Sequence, residues 1–192
     1  MEDAVTGVSR ERLDAIYSGS SDPWGFAHSR YEQAKFAQTR KALNRPRYRS
    51  AFELGCGNGQ LARWLEDRCD RYTGMDAVEA AIDAARTSVP SGMFLKGFYP
   101  CPLPDDSFDL LILSEILYFL DHAGLSSLAS HIARNWCLAD VLCVTWLGPT
   151  EHELQGPDSI NLFVSFLDTH DFKLVTQTDD YRIDRGTPRV LP

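Results

Sequence analysis

Along this chain, short apolar runs alternate with stretches in which apolar residues recur every three or four positions, and the alternation begins near Arg49. Ala51-Phe-Glu-Leu54 reads as a strand running into glycines. Leu61, Ala62, Trp64 and Leu65 share one face of a helix predicted from about Asn58 to Asp67. Tyr72-Thr-Gly-Met75 is a second strand closed by Asp76, and Val78, Ala81, Ile82 and Ala85 form the buried stripe of the next helix. Met93-Phe-Leu95 is a third strand, and Phe108-Asp-Leu-Leu-Ile-Leu113 has the near-continuous apolar character of a central parallel strand covered on both faces. Asp121 is placed to cap a helix with Leu125, Leu128, Ala129, Ile132 and Trp136 inward. Val141 to Trp146 is a fifth strand, Asp158 is placed to cap a helix burying Ile160, Phe163, Val164 and Leu167, and Phe172 to about Ile183 reads as a last strand.

Strand–helix alternation of this kind predicts a doubly wound α/β fold: a mostly parallel sheet with right-handed crossovers and helices on both faces. Ahead of it, Asp22-Pro23-Trp24-Gly25 reads as a turn, and a helix from about Ser29 to Leu43 is stopped by Asn44-Arg-Pro46. The first 20 residues, with Ser18-Gly-Ser-Ser21 at their end, read as loosely ordered until something docks on them. Residues 1–48 are accordingly expected to form a cap or lid segment and residues 49–192 the core of one compact domain.

Ligands in such sheets sit beyond the carboxyl ends of the strands, near the point where strand order reverses. The Gly55 turn, Asp76 and Glu115 all fall at those ends. Gly55-Cys56-Gly57-Asn58-Gly59 follows a strand and opens a helix, and glycines there let backbone approach a ligand with no Cβ in the way. A nicotinamide-binding fingerprint needs Gly-x-Gly-x-x-Gly, but Gln60 stands where its last glycine belongs. Glu53, just before the turn, would repel a pyrophosphate and suits the ammonium of an amino-acid moiety. Asp76 fits the two hydroxyls of a ribose, or equally the cap of the helix that Ala77 begins.

Composition narrows the class. The chain has 192 residues, enough for one domain with a full core, and its apolar fraction of 44% is that of an ordinary globular protein. A net charge of −8 argues against a nucleic-acid partner, since phosphate binding is driven by Lys and Arg clusters. No apolar run reaches the ~20 residues of a bilayer span, so stable membrane insertion is not expected, and an acidic start without an apolar signal core leads us to expect a cytoplasmic protein. Five scattered cysteines without Cys-x-x-Cys give neither a disulfide framework nor a zinc site, and the five histidines show no ligand spacing, so no metal is expected.

Glu-x-Gly-x-Gly-x-Gly followed by an acid ending the second strand resembles the class I S-adenosylmethionine (SAM)-dependent methyltransferases over about residues 49 to 175. The narrower set Asp22-Pro-Trp-Gly-Phe26, Tyr31-Glu-Gln-Ala-Lys-Phe36, Ser114-Glu-Ile-Leu-Tyr-Phe-Leu120 and Tyr181-Arg-Ile-Asp184 is similar to the nodulation protein S family of rhizobia. That resemblance implies methyl transfer from SAM to the free amine of a de-N-acetylated chitooligosaccharide in Nod-factor synthesis, with an oligosaccharide as the small-molecule partner. It implies a cofactor site of Glu53, Gly55, Gly57, Gly59, Asp76 and Ala77, covered by Trp24 and Arg30 of the N-terminal segment. Where relatives carry Gly-Asp after the third strand this chain has Gly97-Phe98, leaving Phe98 to pack on adenine or lend its backbone. The family fold ends in two antiparallel strands, and Asp-Arg-Gly-Thr-Pro after Ile183 reads as a seventh strand that is short, altered or absent.

Methyl transfer asks mainly for alignment of an acceptor lone pair with the methyl, and an amine acceptor must also lose a proton. Glu115 is the candidate for that contact, or else holds its own loop through backbone amides; Tyr118 either orients the acceptor or packs over the sheet edge. Trp146 offers a face for a sugar ring or is simply core, His152 lies just beyond it, and Tyr31 belongs to the cap, either a mobile lid or a helix packed permanently. Three other classes stay in view. A nucleic-acid amino-methyltransferase lacks its Asn/Asp-Pro-Pro-aromatic motif at Ser114-Glu-Ile-Leu117, an NAD oxidoreductase is opposed by Gln60 and Glu53, and a SAM-binding protein without catalysis fits the missing acid at Phe98.

Overall fold

The computed structural model describes residues 22, 25, 26 and 28–189. Trp24 and the Ser18–Ser21 stretch lie outside the described residues. Helices and strands alternate as α1 (Arg30–Lys41), β1 (Tyr48–Leu54), α2 (Gln60–Leu65, extended by a 3-10 turn at Glu66–Arg68), β2 (Cys69–Asp76), α3 (Glu79–Ser88), β3 (Met93–Lys96), β4 (Leu110–Ser114), α4 (His122–Asn135), β5 (Asp140–Trp146), α5 (Gly156–Phe166), β6 (His170–Gln177) and β7 (Tyr181–Pro188). They build one seven-stranded sheet of order β3-β2-β1-β4-β5-β7-β6. The first five strands pair in parallel and β7 enters antiparallel between β5 and β6.

Strand alternation divides the core. Ala51, Leu110, Ile112, Leu142 and Val144 face α1, α2 and α3, packing with Phe36, Leu61, Leu65, Ile82 and Ala85. Phe52, Leu54, Leu111, Leu113, Val141 and Cys143 face α4 and α5, where Leu125, Leu128, Ile132, Trp136, Ile160 and Phe163 meet them. Because both faces are covered, β4 and β5 carry almost no polar side chains, the pattern expected of central parallel strands. Asp121 caps α4 as the sequence indicates, its carboxylate accepting from Gly124 N at 2.7 Å.

Three sequence expectations are corrected. The segment read as one last strand is a hairpin: Thr178 Oγ1 accepts from Asp180 N and Tyr181 N, turning the chain so that β7 is a full strand. Gly186 in β7 lies under the Phe172 ring, where a Cβ would come within 2.6 Å of it, and Asp184 is buried in a bidentate pair with Arg182. Asp158 sits inside the first turn of α5, whose cap is Gln155, with Pro157 in that turn. The helix after Asp76 starts only at Glu79 with Val78 as its cap residue.

The glycine turn packs as tightly as the strands. Gly59 adopts φ +76° at the start of α2, and a Cβ there would stand 2.9 Å from Ala85 Cα in α3. Gly59→Ala is expected to lower the unfolding free energy by more than ~1 kcal/mol, since both the left-handed backbone and the contact penalise the methyl. Chemical denaturation of the two proteins checks it, with equal midpoints as the contrary result.

Candidate functional site

Strand β1 has β2 on one side and β4 on the other, so the connections leaving it diverge at their carboxyl ends. A cavity of about 420 Å³ opens at that point, lined by the glycine turn, the ends of β2, β3, β4 and β5, and side chains of α1. The turn hangs from β2: Gly55 N and Cys56 N both donate to Met75 O, at 2.9 and 3.1 Å. Gly55 (φ +83°) and Gly57 (φ +50°) take backbone conformations that L side chains rarely adopt. At Gly55 a Cβ would also meet Ser114 O at 2.8 Å, so this glycine lets the turn close on the end of β4.

Glu53 points from β1 into the cavity floor and is only 1% exposed. Tyr72 donates its hydroxyl to Glu53 Oε2 at 2.8 Å, while Oε1 is buried with no hydrogen-bond partner among the described residues. Burial pushes the Glu53 carboxyl up to about 8; the Tyr72 hydrogen bond opposes this and the Asp76 charge adds to it. An acceptor buried and left half-satisfied is costly. The arrangement suits a cationic donor arriving from the cavity.

Asp76 ends β2 and braces the turn. Its Oδ2 accepts from Gly57 N at 2.9 Å and its Oδ1 from Val78 N at 3.1 Å. Burial raises its carboxyl and those backbone N–H groups restrain the rise. A carboxylate has lone pairs beyond these two, so Asp76 keeps capacity for hydroxyl donors from the cavity it lines. Ala77 and Phe98 line the same end; Phe98 is 38% exposed, a large ring standing at the mouth.

The opposite end is charged and aromatic. Glu115, just past β4, has φ +52°, the single non-glycine residue with positive φ among those described. Such a backbone costs on the order of 1–3 kcal/mol and persists where surroundings enforce it. Here Glu115 N donates to Val144 O at 2.9 Å, and Glu115 Oε1 receives Lys35 Nζ at 2.6 Å. Lys35 reaches over from α1 with a side chain 4% exposed and also pairs with Glu32 Oε2 at 2.9 Å. Its ammonium lies 5.2 Å from the centre of the Tyr31 ring. Tyr31 in turn meets Trp146 and Tyr181 edge to face, with centroids 6.3 and 5.9 Å away. Burial, then Glu115 and Glu32, push the Tyr31 hydroxyl far up, and burial with the same carboxylates does so for Tyr118, so both stay protonated donors.

Of the residues singled out from sequence, Glu53, Gly55, Gly57, Asp76, Ala77, Phe98, Glu115, Tyr118, Trp146 and Tyr31 all line this cavity. Three do not. Gly59 is turned to α3, as described above, and Arg30 is exposed on the first turn of α1. His152 stacks behind the wall, on Tyr118 at 5.9 Å and Phe119 at 4.6 Å. Lining residues that sequence reasoning passed over include Glu32, Lys35 and Phe36. Glu32 and Lys35 sit three apart on a helix, the spacing of an ordinary surface ion pair, and only the distant Glu115 marks them as something else. No group of three or more His, Cys, Asp or Glu able to hold a metal occurs among the described residues, and no helix among them is long and apolar enough to cross a membrane.

Residues 52–135 match the model of a family described as a methyltransferase domain. Nodulation protein S of Bradyrhizobium diazoefficiens is 30% identical over 141 residues, which are 65% of this chain and 66% of that protein. Trans-aconitate 2-methyltransferase of Escherichia coli is 32% identical over 102 residues, 51% of this chain and 40% of that enzyme. The matches therefore span just under two thirds, and well under half, of these relatives' own lengths. Among solved structures, the N-methyltransferase NodS of Bradyrhizobium japonicum in complex with S-adenosylhomocysteine superimposes with a TM-score of 0.79, covering 93% of this chain and 97% of that one at 17% identity, a likeness of fold.

The Glu53 geometry carries a pH signature. Below its ordinary value of 4.5 the unfolded chain and the fold both hold the proton, so Glu53 costs nothing. Between there and about 8 the unfolded chain alone ionises, and stability is progressively lost as pH rises. Glu53→Gln removes this loss. Its gain in thermal unfolding midpoint over the native chain is expected to be larger at ~pH 9 than at ~pH 5, read by calorimetry in both buffers; a gain that shrinks with pH contradicts the buried carboxyl.

Proposed function

From a methyltransferase domain set in the class I methyltransferase fold, we propose that this chain is a SAM-dependent N-methyltransferase acting on the free amine of a de-N-acetylated chitooligosaccharide. The observation that carries the reading is the convergence of Glu53, Asp76 and Glu115 on one cavity from three adjacent strand ends. SAM, when bound, supplies a methyl group on an electrophilic sulfonium. The unpartnered Glu53 Oε1 fits its ammonium, and the bare backbone from Gly55 to Gly57 lets the amino-acid portion lie close to the turn. Asp76 takes the ribose hydroxyls with its remaining lone pairs, and Phe98 covers the adenine end where relatives carry an acid.

Glu115 serves the acceptor. Its carboxylate lines the cavity and stays 24% exposed there, placed to hold an amine and receive the proton the amine must lose. Tyr118 and Trp146 provide a hydroxyl donor and an aromatic face for a sugar ring. Charge separates the two curated relatives' chemistries. Two carboxylates, Glu32 and Glu115, flank one ammonium, Lys35, so this end carries a net negative balance and repels a polycarboxylate such as trans-aconitate. An amine is drawn to it.

Incubation with SAM and, in separate reactions, trans-aconitate or chitooligosaccharides bearing or lacking a free terminal amine tests the substrate. Methylation of the free-amine sugar alone is expected; transfer to trans-aconitate instead, or to no acceptor, removes the reading. Two substitutions test the roles. Asp76→Ala is expected to weaken S-adenosylhomocysteine binding by ten- to a hundredfold, roughly the ~1.5–3 kcal/mol of hydrogen bonds to a charged group. Glu115→Gln is expected to cut turnover ~100-fold with cofactor affinity little changed; equal activity would return Glu115 to holding its loop.

A further inference from the structure

Lys35 has been given no role in methyl transfer so far, yet among the described ion pairs it is the cation with the least exposed side chain. Its side chain is 4% exposed, and an ammonium so buried is tolerable only with carboxylate partners. It has two, from different parts of the fold: Glu32 one turn back on α1, and Glu115 80 positions away. Thr39 Oγ1 donates to the Lys35 carbonyl at 2.9 Å, and the Tyr31 ring lies beneath the ammonium. The bridge thus ends on the one described non-glycine residue with a left-handed backbone.

We propose that the Glu32–Lys35–Glu115 bridge positions Glu115 for the acceptor, with Lys35 as a positioning residue that touches neither cofactor nor acceptor; this rests on the function proposed above. Three observations support it. Glu115 has a backbone conformation it would not adopt unaided, so its carboxylate faces the cavity only while something holds it. Lys35 takes up Oε1 and leaves the group still partly exposed to the cavity. Lys35 belongs to α1, so its contact with Glu115 ties the loop after β4 to that helix, while Glu32, three positions back, holds the ammonium in place.

Misplacing a reacting group by about 1 Å costs on the order of 100-fold in rate. Lys35→Met is therefore expected to lower kcat by ~100-fold on the free-amine chitooligosaccharide, with the affinity for S-adenosylhomocysteine unchanged. Lys35→Arg, which keeps a cation, recovers part of the loss. Glu32→Gln, which keeps size and is the milder change, shows a smaller fall in the same direction. Wild-type turnover in Lys35→Met or in Glu32→Gln overturns the proposal; loss of S-adenosylhomocysteine binding in parallel with turnover also overturns it and assigns Lys35 to the cofactor. If the unaltered protein methylates neither sugar, the acceptor reading falls by itself. The bridge is then judged by hydrogen exchange with S-adenosylhomocysteine bound: faster exchange at residues 115–117 and in α1 of both variants supports it, and unchanged protection overturns it.

Discussion

A carboxyl buried beneath a glycine turn, with one oxygen satisfied by Tyr72 and the other by nothing the described chain supplies, sets the terms for the whole structure. Removing an ionised carboxylate from water without a full set of partners costs several kcal/mol. The fold meets part of that cost by letting Glu53 keep its proton, which its rise to about 8 expresses. The turn that follows Glu53 is held in place by backbone groups and by Asp76. Gly55 and Gly57 turn without Cβ atoms, Met75 O holds two of the turn's amides, and Asp76 braces a third. The cavity thus offers one open carboxyl oxygen beside the glycine turn, the kind of placed polar group by which small-molecule sites fix orientation.

The far end of the cavity solves a different problem. On the function proposed above, this end holds the acceptor against the methyl and takes its proton, and that calls for a carboxylate that is charged, aimed and only partly desolvated. Glu115 is 24% exposed and paired with the Lys35 ammonium of α1, which Glu32 also holds. The two ends also differ in what they ask of the protein. Glu53 lies on a central strand paired with β2 and β4 on its two sides, whereas the bridge runs between α1 and the loop after β4.

Much of this was legible in the sequence because sheet physics leaves a plain trace. Strands covered on both faces show as apolar runs, and their carboxyl ends mark the ligand crevice, so Glu53, Asp76 and Glu115 stood out without any coordinates. The β6–β7 hairpin did not. Its turn, Thr178-Asp-Asp-Tyr181, has no glycine or proline, a bulge between Leu174 and Thr176 breaks the alternation, and Asp184 and Gly186 look like loop residues until Arg182 and Phe172 are seen against them. Lys35 was illegible for a related reason: an ion pair within a helix reads as solvated unless a third, remote charge is known. Arg30 and His152, reasonable by position, are set aside by helix phase and by the stacking of His152 behind Tyr118.

The central claim, that Glu53 gives up its proton to receive a ligand ammonium, is tested most directly by calorimetric titration with S-adenosylhomocysteine at ~pH 7 in buffers of differing ionisation enthalpy. A carboxyl protonated in the free protein and ionised in the complex requires release of about one proton per molecule bound, and Glu53→Gln must abolish that release. Binding with no proton release, or release that persists in Glu53→Gln, would contradict the account.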